Sequence, residues 1–221
     1  MTPDEILKGL YDQTLVGDGP GVLDLTHQAL EMGMEPQSLL FDALIPSLEE
    51  VGARFERGDF FVPEMLVAGK AMSGALDILR PLLAETGART VGTFLMSTVK
   101  GDVHDIGKNL VNIMLEGAGF HVIDLGVQVG PDKVIAGIRE HNPDIVGFSA
   151  FLTTTMPMFK ANINALQKAG LRDQVIVMVG GAPVTQEYAD AVGADGYAAD
   201  AATAVRKAKE LLAARRAAVG V

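Results

Sequence analysis

The 221-residue sequence contains no cysteine. Disulfide bonds, thiolate metal sites and cysteine nucleophiles are therefore excluded, and the composition is compatible with a reducing cytoplasm. Basic residues are in the minority, 18 against 28 acidic ones, which gives a formal net charge of −10. Because lysine and arginine are not clustered, no part of the chain indicates a nucleic-acid surface.

The sequence also lacks an apolar run of membrane-spanning length. Residues 1–5 are partly acidic and do not form a signal-peptide pattern. We find no internal repeat and no low-complexity segment. These absences predict a cytoplasmic protein without a membrane partner, and the 48% hydrophobic content is ample for a packed core.

Residues 1–86 are predicted to be helical throughout. Apolar spacing predicts helices over 3–16 and 22–32, separated by a break at 17–21. A third helix is predicted from Pro36 to Phe55, kinked by Pro46, and a fourth starts at Pro63. Four helices with short connections predict a small antiparallel bundle.

The connection before the fourth helix is unusually apolar. Residues 55–63 hold three of the nine phenylalanines in the sequence, although loops between helices are usually polar. These side chains could dock against a neighbouring domain or cover a ligand, and the sequence leaves both interpretations open.

Residues 87–90 are predicted to be a short linker, with Gly87 capping the preceding helix. From residue 90 to 221 the pattern changes to alternating strands and helices. It predicts a second domain with a flavodoxin-like, doubly wound parallel sheet, in which the first and third strands are neighbours. The five predicted strands cover residues 91–97, 120–125, 143–149, 174–179 and 195–198.

The loop after the first strand, residues 101–110, carries the clearest candidate site. Ligands bind in such sheets at the carboxyl ends of the strands. Asp102 precedes His104 by two residues, a spacing at which a carboxylate can receive a ring N–H and orient a metal-binding imidazole. Gly107 would let a bulky flat ligand approach the backbone. In the simpler interpretation, Asp102 is only a helix N-cap and His104 a surface residue.

Two further loops are predicted to flank this one. Residues 149–155 after the third strand offer one serine and three threonines, and Gly180-Gly181 follows the fourth strand. Taken singly, the hydroxyls could cap a helix and the glycines could form a tight turn. Two familiar sites fit poorly: residues 97–101 lack a dinucleotide G-x-G-x-x-G motif, and Ser149 stands where a phospho-receiver needs aspartate.

With these residues placed, the chain resembles the cobalamin-binding corrinoid proteins, including the cobalamin module of methionine synthase. The resemblance covers the helical cap and the sheet domain. Asp102, His104 and Gly107 match the family's D-x-H-x-x-G motif in full. Ser149-Ala150-Phe151 matches Ser-x-Leu with phenylalanine in place of leucine, and Gly180-Gly181 matches the later Gly-Gly motif.

The resemblance implies that cobalamin binds with its benzimidazole tail off the cobalt and His104 as the metal ligand. Asp102 would then hold the imidazole, and Thr155 would complete a proton relay. The loop residues Gly101, Val103, Asp105 and Gly107 would contact the cofactor. The resemblance assigns tail or corrin contacts to Ser149, Phe151, Thr153, Gly180, Gly181 and Ala201, and shielding of the methyl-bearing face to Phe55 and Val62.

The resemblance further implies a methyl carrier that alternates between methylcobalamin and cob(I)alamin. Its expected partners are a substrate:corrinoid methyltransferase, an acceptor methyltransferase and a reductive activase. The chain would be a subunit of a methyltransferase system and not a complete enzyme. Two alternatives are a cobalamin-dependent sensor, for which no output domain is visible, and the small subunit of an adenosylcobalamin mutase, which the phenylalanine-rich cap argues against.

Overall fold

The computed structural model describes residues 1–85 and 90–219. The chain divides into two compact units, Met1–Thr90 with Ile113–Gly119, and Val91–Asn112 with Phe120–Val221. Most of the predicted linker at 87–90, including the cap at Gly87, lies outside the described residues. The domain limits 1–86 and 90–221 therefore stay a prediction.

The first unit is helical, as the apolar spacing predicts. Helix α1 begins with a capping box, in which Thr2 Oγ1 accepts the Glu5 N–H (3.3 Å) and Glu5 Oε2 accepts the Thr2 N–H (2.8 Å). It ends at Gly17, whose φ of 76° is the left-handed conformation of a C-cap. The helices are α1 Pro3–Val16, α2 Gly19–Glu31, α3 Pro36–Ser38, α4 Ile45–Arg57 and α5 Val62–Glu85.

Helix α2 begins three residues earlier than the predicted start at residue 22. Asp18 is its N-cap, and the Asp18 side chain accepts the N–H of Gly21 (3.2 Å). The predicted break at 17–21 is therefore wrong for residues 19–21. Pro20 suits the first turn because the N–H groups there have no helical partner.

The helix predicted from Pro36 contains a π-helical segment, Leu39–Leu44, between α3 and α4. In this segment the N–H of Ile45 bonds to the carbonyl of Leu40, five residues back. Pro46 follows directly and has no N–H to continue the ladder. The irregularity expected at Pro46 thus takes the form of a widened turn just before it.

The second unit alternates strands and helices as predicted. Its strands are β1 Thr93–Thr98, β2 His121–Asp124, β3 Ile145–Ser149, β4 Ile176–Gly180 and β5 Gly196–Ala198. Its helices are α6 Ile106–Gly117, α7 Pro131–His141, α8 Pro157–Lys168, α9 Gln186–Val192 and α10 Ala201–Val219, with a 3₁₀ turn at Arg172–Gln174.

The strands form one five-stranded parallel sheet in the order β2-β1-β3-β4-β5. The flavodoxin-like prediction is confirmed, and β1 and β3 are neighbours at the switch point. In their register Thr98 lies beside Ser149, and Ser149 beside Gly180. The ends of β1, β3 and β4 therefore lie side by side.

Both faces of the sheet are covered, which explains why the central strands β3 and β4 are apolar at nearly every position. Leu95, Val146 and Val177 are register partners on one face and pack in a cluster with residues of α7, α8 and α9. On the other face, β5 at Gly196 lies against Leu211 of α10. In the part of the chain that the structure describes, no helix is long and apolar enough to cross a membrane.

Candidate functional site

The β1–α6 loop is held from both sides by main-chain hydrogen bonds. The N–H of Asp102 bonds to the carbonyl of Val99 (3.1 Å), and the turn is completed by Gly101 at φ 87°. The hydroxyl of Thr98 donates to the carbonyl of His104 (3.1 Å), and the N–H of Gln128 to the carbonyl of Asp102 (3.0 Å). The loop therefore has a defined conformation in which Asp102 points inward.

The Asp102 carboxylate is fully buried and accepts hydrogen bonds at both oxygens. Oδ1 accepts from the main-chain N–H of His104 (3.0 Å) and lies 2.7 Å from His104 Nδ1. Oδ2 accepts from the Thr155 hydroxyl (2.8 Å) and from the N–H groups of Phe151 (2.8 Å) and Leu152 (3.2 Å). The carboxylate thus joins the β1 loop to the β3 loop.

Burial by itself would raise the pKa of Asp102, but the hydrogen bonds from His104, Phe151 and Thr155 outweigh it and hold the pKa well below its usual range. Asp102 is therefore an anion at neutral pH, and every group around it must act as a donor.

This anion determines the tautomer of His104. Because a carboxylate can only accept, Nδ1 carries the ring proton, which leaves a lone pair on Nε2. Nε2 makes no hydrogen bond to any described residue, and the side chain is 44% exposed. An imidazole oriented by a carboxylate, with its second nitrogen free, is the arrangement of a metal ligand. The described residues contain no cluster of three or more His, Cys, Asp or Glu side chains that could hold a metal ion by themselves.

The simpler interpretation of Asp102 as an N-cap is not supported. Helix α6 begins at Ile106, and its first turn uses the carbonyl of Asp105, which accepts the N–H of Asn109 (2.7 Å). The side chain of Asp102 instead bonds to His104 and to the β3 loop.

The residues of the loop after β3 differ in how closely they contact this site. Thr155 is buried, and its hydroxyl contacts the Asp102 carboxylate and the carbonyl of Leu152, both at 2.8 Å. The Phe151 ring stacks on the His104 ring, with centroids 4.4 Å apart. Ser149 ends β3, and Thr153 is exposed. The structure therefore brings Phe151 to His104 and Thr155 to Asp102, while the tail contacts of Ser149 and Thr153 stay predictions.

Glycine stands at three positions of the candidate site for different structural reasons. Gly181 has a φ of 125°, and a Cβ there would lie 1.9 Å from the carbonyl oxygen of Ala150. A Cβ on Gly180 would lie 3.0 Å from the carbonyl oxygen of Ala198. The Gly-Gly pair is thus required by neighbouring backbone. A Cβ on Gly107 would meet no atom within 4 Å, so Gly107 borders open space.

Three predicted cofactor residues lie farther along or outside this loop cluster. Ala201 is buried at the start of α10. Phe55 and Val62 belong to the first unit, where Phe55 is half-buried and Val62 is exposed. Near the end of α4, the Arg54 guanidinium lies 5.1 Å from the centroid of the Phe60 ring. Phe61, just before α5, is 65% exposed.

The apolar spacing of α6 gave one wrong expectation. In the sequence, Ile106 stands at near-helical spacing with Leu110, Ile113, Met114 and Gly117, which predicts it on the apolar face of the helix. In the structure Ile106 is 74% exposed, whereas Lys108 is buried. Lys108 Nζ contacts Asp124 Oδ2 and Asn109 Oδ1, the latter at 2.7 Å. The apolar spacing in the sequence does not include this lysine. Its position seven residues, or two helical turns, before Leu115 is the signal in the sequence that it shares a face with an apolar residue.

These residues fit a corrinoid. Val103 and Ile106, on either side of His104 in the chain, and Phe151, which stacks on the His104 ring, all have exposed apolar side chains, as a broad, largely apolar macrocycle requires. Gly107 leaves open space beside them. His104 would hold the metal of such a group through Nε2, and because the macrocycle supplies ligands of its own, no further protein ligand would be needed.

Comparisons with known proteins identify the family of the chain. A family model described as B12 binding domain matches residues 92–206, and a second model with the same description matches residues 6–80. The dimethylamine corrinoid protein of Methanosarcina barkeri is 43% identical over 214 residues, covering 96% of this chain and 100% of that protein.

Two solved structures are similar over most of the chain. One is the methanol:cobalamin methyltransferase complex MtaBC from Methanosarcina barkeri, with a TM-score of 0.84 and 29% identity over 96% of this chain and 81% of that one. The other is a cobalamin-binding protein from Desulfitobacterium hafniense, with a TM-score of 0.74 and 30% identity over 92% of this chain and 97% of that one. The chain therefore belongs to the B12-binding corrinoid proteins.

Proposed function

We propose that this chain carries a methyl group on the cobalt of a corrinoid, with His104 as the lower axial ligand. The observation that carries the proposal is the buried Asp102 carboxylate, which fixes the proton of His104 on Nδ1 and leaves Nε2 free. The cofactor supplies the methyl-transfer chemistry when it is bound. The chain supplies the ligand, its orientation and its charge balance.

Asp102 would orient the imidazole, because its buried carboxylate accepts the Nδ1–H at 2.7 Å. The Thr155 hydroxyl donates to the other carboxylate oxygen at 2.8 Å and holds Asp102 in this position. The three side chains thus form one continuous chain of hydrogen bonds from the ring to Thr155. This supports the relay that the family resemblance implies.

A methylated amine is the first methyl donor to test. The dimethylamine corrinoid protein, which is similar to 96% of this chain, is named after a methylated amine. The expected partners are then a methylamine:corrinoid methyltransferase and an acceptor methyltransferase. A reductive activase and a cytoplasmic location remain part of the same proposal.

Electron paramagnetic resonance tests the ligand assignment. The protein is loaded with cobalamin, reduced to cobalt(II), and compared in two isotopic forms, with ¹⁵N in the benzimidazole tail or with ¹⁵N-histidine in the protein. We expect the superhyperfine pattern to respond to the histidine label and not to the tail label, and to disappear in His104→Ala. Coupling to the tail nitrogen would contradict the proposal.

Mixing the loaded protein with dimethylamine and its methyltransferase tests the carrier role. We expect the cobalt(I) absorption bands to disappear only when donor and methyltransferase are both present. A spectrum that stays unchanged with methanol-specific and methylamine-specific methyltransferases alike would speak against a methyl carrier.

A further inference from the structure

The rings of Phe151 and His104 are stacked. Their centroids are 4.4 Å apart and their planes are inclined by 29°. Phe151 follows the end of β3, whereas His104 lies in the loop after β1. The stack therefore joins the same two loops that the Asp102 carboxylate joins, but it does so through the faces of the rings.

The hydrogen bond to Asp102 restrains the imidazole only in part. Hydrogen bonds tolerate a spread of distances and angles, so the ring can still rotate over a limited range about its Cβ–Cγ bond, and this rotation would move Nε2. With a 44% exposed side chain, His104 is only partly confined by packing. A flat group lying against one ring face opposes that rotation.

Phe151 is itself anchored to the group that orients the histidine. Its main-chain N–H donates to Asp102 Oδ2 at 2.8 Å, while its side chain covers the imidazole. One residue thus contacts both the carboxylate and the ring. The Phe151 side chain is half-exposed, so bulk core packing does not explain its position.

We propose that Phe151 is a positioning residue that fixes the plane of the His104 imidazole and hence the direction of its Nε2 lone pair. This inference rests on the proposed function, because it concerns His104 as a cobalt ligand. A ligand whose ring is already oriented loses less rotational freedom when the metal bond forms. Phe151 thereby favours the histidine-bound state of the corrinoid.

Cobinamide is the probe that tests this proposal, because it has the corrin ring and cobalt but no benzimidazole tail to compete with His104. The variants are Phe151→Ala and Phe151→Leu, the second keeping apolar bulk without the ring. The matched control is Tyr188→Leu, which removes the ring from another aromatic pair of the same unit, with Phe159 (centroids 6.3 Å apart), away from Asp102 and His104.

We expect both Phe151 variants to bind cobinamide about 2- to 12-fold more weakly, which corresponds to the usual strength of an aromatic pair. The cobalt(II) spectrum should show a mixture of nitrogen-coupled and uncoupled species. In the apo protein, the ring-current shift of the His104 carbon-bound protons should disappear in both variants. Tyr188→Leu should lose stability but keep the affinity, the spectrum and the shift.

The outcomes separate the two proposals. Absence of nitrogen coupling in the unmodified protein would refute His104 as the ligand. Coupling in the unmodified protein, with unchanged affinity and an unchanged spectrum in Phe151→Leu, would overturn the positioning role and leave the ligand assignment intact. An equal loss of affinity in Tyr188→Leu would also overturn it, because the effect would then follow stability alone.

Discussion

Lys108 and Asp124 form an ion pair that connects the first turn of α6 to the end of β2, and the lysine side chain is only 2% exposed. The carboxylate also accepts the N–H of Gly126 (2.8 Å) and the side-chain amide of Asn112 (3.0 Å). The carbonyl of Gly126 in turn accepts the N–H of Thr98 (2.9 Å). The pair therefore supports the backbone from which the histidine loop starts.

Replacing Lys108 by methionine should lower the free energy of unfolding by about 1–3 kcal/mol, because methionine fills the space but leaves the carboxylate without its cation. Partial exposure of Asp124 and its two remaining donors keep the loss below that of a fully buried pair. Urea unfolding of the apo protein measures it. The control is Arg206→Met, which breaks an exposed pair with Glu210 and should change stability by less than about 0.5 kcal/mol. If Lys108→Met and Arg206→Met lower the free energy of unfolding equally, the buried ion pair does not contribute the stability expected of it.

Asp102→Asn should disturb the site although it conserves shape. The groups around the carboxylate are all donors in the present arrangement, so an amide NH₂ must face at least one other donor. We expect a loss of stability, together with a His104 ring proton that shifts between its two nitrogens. Nitrogen NMR chemical shifts of His104 in the apo protein measure the tautomer. An unchanged Nδ1-protonated ring would show that Asp102 does not determine it.

The stability conferred by Asp102 should depend on acid pH. Its folded-state pKa lies below the unfolded value of about 3.9. The stabilisation is therefore complete above that value and is lost as the pH falls through the folded-state pKa. We expect the gap in unfolding free energy between the unmodified protein and Asp102→Asn to begin to narrow at about pH 4 and to go on narrowing as the pH falls further. The exposed Asp132→Asn serves as control, and a gap that stays constant over this range would refute the effect.

Thr155→Val should cost about 1.5–3 kcal/mol of stability, because it removes a hydroxyl that donates to a charged carboxylate without changing the side-chain volume. Thr155→Ser retains the hydroxyl and should keep most of the hydrogen-bond energy. Chemical denaturation of both variants tests this. If valine is tolerated as well as serine, the hydroxyl does not contribute.

Two glycine substitutions should have opposite effects. Gly181→Ala places a Cβ against the Ala150 carbonyl at a φ that side chains rarely adopt, so the protein should be strongly destabilised. Gly107→Ala meets no neighbour and lies near the start of α6, so it should raise apo stability by up to about 1 kcal/mol. If the corrin covers Gly107, the same change should weaken cobinamide binding. Stability and affinity that rise together would argue against a corrin at that position.

Phe55→Ala tests the shielding role that the family resemblance implies. Because Phe55 is half-buried, the substitution should cost less than the roughly 3–5 kcal/mol of a fully buried phenylalanine. If Phe55 shields the cobalt, the methyl-loaded protein should photolyse faster. Phe41→Ala, at another partly exposed phenylalanine of the same unit, should leave the photolysis rate unchanged. A large stability loss with unchanged photolysis would return Phe55 to the bundle core.

The sheet and the Asp102–His104 contact could be predicted because they follow from local rules. Alternating strands and helices admit few parallel topologies, and a carboxylate two residues before a histidine can reach its ring without long-range information. The partner of the buried Lys108 could not be predicted in this way, because Lys108 lies on α6 and Asp124 on a different element, β2. Stacking of Phe151 on His104 also depends on how two loops meet, which no spacing encodes.

The other differences between the predicted and the observed structure have local physical causes. Gly19 and Gly21 belong to α2 because Asp18 caps the helix and Pro20 fits its first turn. The carbonyl groups of Ala198 and Ala150 crowd the glycine pair at 180–181, which accounts for glycine at these positions, and the predicted ligand contact of the pair stays a prediction. Ile106 broke the apolar pattern of α6 at the end of the helix that borders the imidazole. A residue that departs from a folding pattern can thus indicate a ligand surface.

The hydrogen bonds of Asp102 are completed entirely by groups of the chain itself. The part of the proposed corrinoid site around His104 therefore acquires its shape during folding, before any cofactor arrives. The entropy needed to order the two loops is lost at that stage, and binding does not have to supply it again. Cofactor-free protein should consequently remain ready for loading, and exchange of one corrinoid for another should proceed without local unfolding of the histidine loop.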